Sequence, residues 1–423
     1  MIIELSKKDR EIIRDAAKKQ LDYAHTPKNK SRVEGWYKHN MLQGEKPLVY
    51  IEPETFIDEL LPQMILSTGE FARQTEELIV RNYINQELFD DDFVTPDYLP
   101  LQYKSSFQLF GIEVKKVFAS SHSGKKNVGH HFIPSLTDLK DDYHKLSKSV
   151  FNVDMDATKK QKLIIEDIIG DILPVSINMN CLYSVPTQDL VHIMSMENMM
   201  LNMLDYPDLF KELMSRIADD TLAYFDMLEN SGYILPTVRH DSLGNGSLCY
   251  TSELPGEEEA ANRRLTTSDV WGFMDSQETI GISPQMFEEF VFPCYEKIAS
   301  RFGMLSYGCC EPVDKIWENC LSRLPNLRKL SISPWANEEL MGEWLAGQNI
   351  IYFRKPSPNF LGVSKSLDED AVRAHISKSL TAAKGCKIEI AQRDVYTIHH
   401  NTTKVRRYIE IIREEIDSVM AQS

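Results

Sequence analysis

Long hydrophobic runs are missing from this 423-residue chain. No stretch approaches the roughly 18 consecutive apolar residues that a membrane-spanning helix needs, so no membrane partner is expected. A surplus of positive charge is missing too: 47 Lys and Arg face 63 Asp and Glu, giving a formal net charge of −16. Phosphate backbones select basic faces, which argues against a nucleic-acid partner. Cysteine is sparse, with 7 residues scattered along the chain. An odd, dispersed set is not the disulfide framework of a secreted domain, and a reducing cytoplasm is the expected compartment. The first segment, MIIELSKKDREIIRDAAKKQ, is charged and helical in pattern and lacks the apolar centre of a signal peptide. Neither G-x-G-x-x-G nor G-x-x-x-x-G-K-[ST] occurs, which removes the main support for nucleotide binding.

What is present is a rhythm. Apolar runs recur as PLVYIEP (47–53), ILPVSIN (172–178), YILPTVRH (233–240), VWGFMDS (270–276), GMLSYGCC (303–310), LRKLSIS (327–333), IIYFRKP (350–356) and KIEIAQRD (387–394). Amphipathic segments such as PQMFEEFVFPCYEKIASRFG and TTKVRRYIEIIREEIDSVM separate them. Apolar strands alternating with helices indicate a parallel sheet buried on both faces. About eight such units point to an α/β protein of the (β/α)8 TIM-barrel type. Residues 1–45 read as an N-terminal helical extension and 46–423 as the barrel. The 120–131 stretch, SSHSGKKNVGHH, reads as an exposed loop, and NMMLNML (198–204) has the spacing of a core-facing helix.

In such barrels the chemistry sits at the carboxyl ends of the strands. Those ends carry Glu52; Asn178 and Asn180; Arg239, His240 and Asp241; Asp275, Ser276, Gln277 and Glu278; Cys309, Cys310 and Glu311; Trp335; Arg354 and Lys355; and Arg393 and Asp394. Strand alternation would put Tyr307, Cys309 and Glu311 on one face and Cys310 on the other. A thiolate and a carboxylate at one strand end suit a zinc ion, which takes sulfur, nitrogen and oxygen donors. The bland alternative is that the cysteines are small buried hydrophobes. The glycines of VRHDSLGNG suggest a flexible loop beside His240, which could equally be one member of a surface charge cluster. Gln277 and Glu278 could cap a helix, and Asp394 could pair with Arg393.

The strand ends resemble those of the uroporphyrinogen decarboxylase superfamily, and within it the corrinoid-dependent methyltransferase branch. The likeness spans roughly residues 45–418 and is clearest in VWGFMDSQETIGISPQMFEEFVFPCYEKIASRFGMLSYGCCEPVDKIW and in VYTIHHNTTKVRRYIEII. It implies a zinc held by His-x-Cys at one strand end and a cysteine near the last strand. Here the first motif reads Tyr307-Gly308-Cys309, and Asp394 stands at the late position, with Cys386 as a fallback. The resemblance then implies a metal set of Cys309, Cys310, Glu311 and Asp394, with His240 as a further candidate, a more oxygen-rich shell suited to polarising an oxygen or ether substrate. Catalysis is assigned to Glu311, Tyr307 and Glu278. Substrate binding is assigned to His240, Asp241, Gln277, Trp335 and Lys355.

The expected activity is methyl transfer between a small molecule and a corrinoid carried by a separate protein. The chain's own nearest match to a cobalamin motif, DYHKLS (142–147), ends in Ser147 and lacks the later glycines. A homodimer is allowed for, though no residue specifies one. The alternatives are a decarboxylase of the same superfamily and a non-catalytic barrel that binds a corrinoid or tetrapyrrole. The first lacks its arginine-rich loop, since PLVYIEP is flanked by Glu52, Glu54 and only Lys46.

Overall fold

A computed structural model describes residues 5–118 and 130–421. Two helices, Lys7–Ala24 and Pro27–Asn40, open the chain as expected, each capped at its N-terminus by a hydroxyl, Ser6 or Thr26. Parallel strands follow: β1 (Leu48–Ile51), β2 (Leu99–Gln102), β3 (Val175–Asn178), β4 (Leu182–Tyr183), β5 (Trp271–Met274), β6 (Met304–Tyr307), β7 (Leu327–Ile332), β8 (Ile351–Arg354) and β9 (Lys387–Gln392). Seven of these make one sheet in the order β1-β9-β8-β7-β6-β5-β4, while β2 pairs with β3 alone.

The fold is therefore α/β with a seven-stranded parallel sheet, and the ladders do not close into the expected eight-stranded barrel. The departure has a local cause. YILPTVRH was expected to be a strand, but its backbone is irregular from Tyr233 to His240. Pro236 removes one ladder donor. The Thr237 hydroxyl, in place of a backbone carbonyl, accepts the Trp271 amide at 2.9 Å. After it, Asp241–Tyr250 forms a tight hairpin in which Ser242 bridges Leu248. The glycines here do not make a flexible exposed loop: Leu243, Asn245, Ser247 and Cys249 are fully buried. Gly244, at φ +79°, lies so close to Tyr183 and Phe273 that an added Cβ would meet both rings within 3.0 Å.

Helices cover the sheet. The helical run after Ser283 widens into a π-type turn over Phe287–Val291 before Phe292–Ala299. Pro293 explains the widening, because its ring clashes with the normal helical path and it has no amide to give. The last helix, Thr402–Ala421, buries Val405, Tyr408, Ile409, Ile412 and Ile416, a stripe at helical spacing. Met199 and Met203 of the methionine-rich helix are buried in the main core, as their spacing implied. The expected loop at 120–131 lies outside the described residues through 129. The chain returns as His130–Ile133, antiparallel to Lys115–Phe118. Among the described residues no helix is long and apolar enough to cross a membrane.

Midway along β7 and β9 the interior holds an ion pair. Lys329 donates to Glu389 at 2.6 Å, and both side chains are wholly buried. Tyr50 donates to the other Glu389 oxygen at 2.8 Å, and Ser247 of the hairpin accepts a second Lys329 hydrogen at 2.6 Å. Burial disfavours the Glu389 carboxylate, yet Lys329 and His39 hold it down at about 2. Removing one partner strands the other charge. Lys329→Met should cost about 3–5 kcal/mol, measured by denaturant unfolding, whereas an equally stable variant would show the pair to be dispensable.

Candidate active site

Four strand ends converge on one cavity of about 700 Å³. Asp275 and Gln277 follow β5, Cys309 and Cys310 follow β6, Lys355 follows β8, and Arg393 and Asp394 follow β9. Trp335, Tyr396 and Tyr183 stand around them. This is the size and mixed lining of a small-molecule pocket.

The two cysteines face the same cavity, contrary to strand alternation. The strand stops at Tyr307, and Gly308 takes φ +97°, a left-handed turn that ends the two-residue period. Ser331 packs beneath it, so an added Cβ would lie 3.1 Å from the Ser331 Cβ. Glu311 turns back: it accepts the Ser276 amide at 2.9 Å and the Cys309 amide at 2.8 Å. Lys355 donates to the Cys309 carbonyl at 3.1 Å, as does the Ser331 hydroxyl at 3.0 Å.

The two thiols lie within hydrogen-bond distance of each other. Cys310 Sγ lies 3.6 Å from Cys309 Sγ and 3.7 Å from Asp394 Oδ2. The Cys310 hydrogen bond, aided by Lys355 and Arg393, pulls the Cys309 thiol down to about 6. The neighbouring Cys309 charge and burial push Cys310 up. Asp275 moves the opposite way. Burial comes first, and the charges of Glu311 and Cys309 add to it, raising its carboxyl to about 9. Its buried Oδ1 has no hydrogen-bond partner. Charge and burial in this cavity thus favour the thiolate at Cys309 and the neutral acid at Asp275.

Several expected site residues are elsewhere. Tyr307 is fully buried and shares a hydrogen bond of 2.5 Å with the Ser276 hydroxyl. Glu278 is buried and accepts from Thr187 at 3.0 Å and Gln188 at 3.4 Å. Neither lines the cavity: Tyr307 points into the core from β6, and the short helical turn Gln277–Thr279 directs Glu278 away from Gln277. His240 packs edge-on to Phe93 and near Tyr250, where burial lowers it to about 4. Asp241 accepts from Asn178 at 3.1 Å. Both belong to the irregular segment between β3 and β5, not to the cavity. Gln277, Trp335 and Lys355 do line it, and Cys386 lies at the start of β9, at the other end. Asp275 and Arg393 were legible as strand-end residues, yet nothing in their immediate sequence singled them out.

Of the zinc ligands that the resemblance implies, Glu311 accepts a backbone amide at each oxygen, while Cys310 lies 3.6 Å from Cys309 and 3.7 Å from Asp394. Among the described residues no group of three or more His, Cys, Asp or Glu side chains is placed to hold a metal ion.

No family model and no curated protein matches the chain. Among solved structures, a methyltransferase from Methanosarcina mazei overlays with a TM-score of 0.49 at 13% identity, covering 93% of this chain and 99% of that one.

The lowered Cys309 thiol gives a direct check. Iodoacetamide labelling of Cys309, followed by peptide mass spectrometry, should rise with pH through a midpoint near 6, well below the usual cysteine value of about 8.5. Below the midpoint the protonated thiol is inert. In Cys310→Ala, which removes that hydrogen bond to the thiolate, the midpoint should move upward. Labelling of Cys309 with an ordinary midpoint would refute the paired state.

Proposed function

We propose that this chain is an enzyme that moves a methyl group between a small substrate in the cavity and a corrinoid carried by a separate protein at its mouth. What supports this reading is the convergence of Asp275, Cys309, Cys310, Lys355, Arg393 and Asp394 from four strand ends on one small-molecule cavity. The implied fold is a barrel of the uroporphyrinogen decarboxylase type, with β2 and β3 completing the cylinder begun by the seven-stranded sheet. The corrinoid supplies the cobalt centre that exchanges the methyl. A cavity of about 700 Å³ suits the small substrate, and the corrinoid stays outside it.

The chain's own residues have distinct duties. Asp275 holds a proton where a departing heteroatom can take it, so it serves as general acid. Cys309 works through Asp275: its negative charge is one of the causes that keep that proton in place. Arg393 and Lys355 bind and orient the substrate. Glu311 positions the loop by tying Cys309 to Ser276.

The test is purified protein mixed with reduced cobalamin and a panel of N-, O- and S-methyl donors, followed by the cobalamin spectrum. One donor class should react, with a rate that falls as pH rises through about 9, where Asp275 loses its proton. Asp275→Asn should slow it by about 10²–10⁴-fold. In Cys309→Ser the alkaline fall should move to lower pH, because the charge that retains the Asp275 proton is gone. A panel in which no donor reacts, or rates indifferent to both substitutions, would defeat the proposal.

A further inference from the structure

We infer that the substrate is a zwitterion, a methylated onium group joined to an anionic group such as a carboxylate. This rests on the methyl-transfer reading above and names its substrate class.

Arg393 supplies the first ground. A guanidinium carries five donors in a planar fork, yet among the described residues its side chain makes no hydrogen bond. Its Nε and Nη1 are buried without a partner, and its acidic neighbours stand off at 3.5 Å for Asp394 and 3.8 Å for Glu52. Unused donors on a buried charge are costly. Nη2, which also has no hydrogen bond and is not sealed off as Nε and Nη1 are, is the donor that a carboxylate entering the cavity can reach. Lys355, buried beside it, has only the Gly308 and Cys309 carbonyls, at 3.5 and 3.1 Å, for its three hydrogens.

The second ground is independent and lies at the mouth. Trp335 is 67% exposed, Tyr396 70% and Tyr183 48%, and all three line this one cavity. Aromatic side chains of that size usually bury, and their faces attract methylated ammonium or sulfonium groups. The carboxylate of Asp394 lines the same cavity. With the anion on Arg393, the onium end reaches the aromatic mouth, and its methyls face the space where a macromolecular acceptor must stand.

The chemistry balances there. The bond from nitrogen or sulfur to the methyl carbon breaks, and its electron pair stays on the heteroatom, which leaves as a neutral amine or sulfide. A reduced corrinoid brings the pair that takes the methyl. As its lone pair is freed, the departing amine takes the Asp275 proton, which gives the acid assigned above its partner.

Protection of Cys309 from iodoacetamide, read by mass spectrometry on the full chain, tests this without any turnover. Three probes separate the two poles: glycine betaine carries both, choline only the cation, and 3,3-dimethylbutanoate only the anion. Betaine should protect at a concentration about tenfold lower than either single-pole probe, the scale of one desolvated cation–π or charge-assisted contact. Arg393→Gln should erase its advantage over choline, and Trp335→Ala its advantage over dimethylbutanoate. Trp335 is exposed, so that variant keeps its fold even where Arg393→Gln does not, which circular dichroism checks. Equal protection by a single-pole probe, or none by betaine, overturns the inference. Protection by betaine with no methyl release leaves it standing and removes the transfer reading, whereas transfer from a neutral O-methyl donor without protection by betaine does the reverse.

Discussion

One carboxylate holds the site together. Glu311 receives the amide of Ser276 after β5 and the amide of Cys309 after β6, so two neighbouring strand ends are pinned to one side chain. That pin fixes the direction of the backbone leaving Gly308. The direction decides that both thiols, and not one, face the cavity. The charge on Glu311 also reaches Asp275 and helps to keep it neutral. Placement and protonation thus have a common origin, and an isosteric amide at 311 would lose both.

Charge is handled differently in two layers of the interior. Midway along the strands Lys329 donates to Glu389 and Ser247, and Tyr50 donates to the second Glu389 oxygen. At the carboxyl ends Arg393 and Asp275 keep buried polar atoms without a hydrogen-bond partner. Such atoms also occur elsewhere, at His39, Asn40 and Ser306. What marks the site is that Arg393 and Asp275 meet on the lining of one cavity.

Much of this was legible in the sequence. Apolar runs ending in polar residues gave β1, β3 and β5 through β9 and the end of the sheet where the chemistry lies. YILPTVRH misled because composition says nothing of Thr237, whose hydroxyl replaces a ladder acceptor. The pairing of Cys309 with Cys310 was hidden because alternation assumes that the strand continues, and Gly308 ends it. His240 and Asp241 share a segment with glycines that suggested mobility, but those glycines serve close packing against Tyr183, Phe273 and Glu52. Arg393 was visible as a strand-end cation. That its donors are idle is a fact of three dimensions alone.

The hairpin Asp241–Tyr250 has a mechanical corollary. Gly244 forms part of the cavity wall, Asn245 donates to the Gly308 carbonyl at 3.2 Å, and Gly246 packs on Glu52. Opening this wall would break the Asn245–Gly308 bond and draw Gly246 away from Glu52, so the hairpin and the strand end that carries the thiols must yield together.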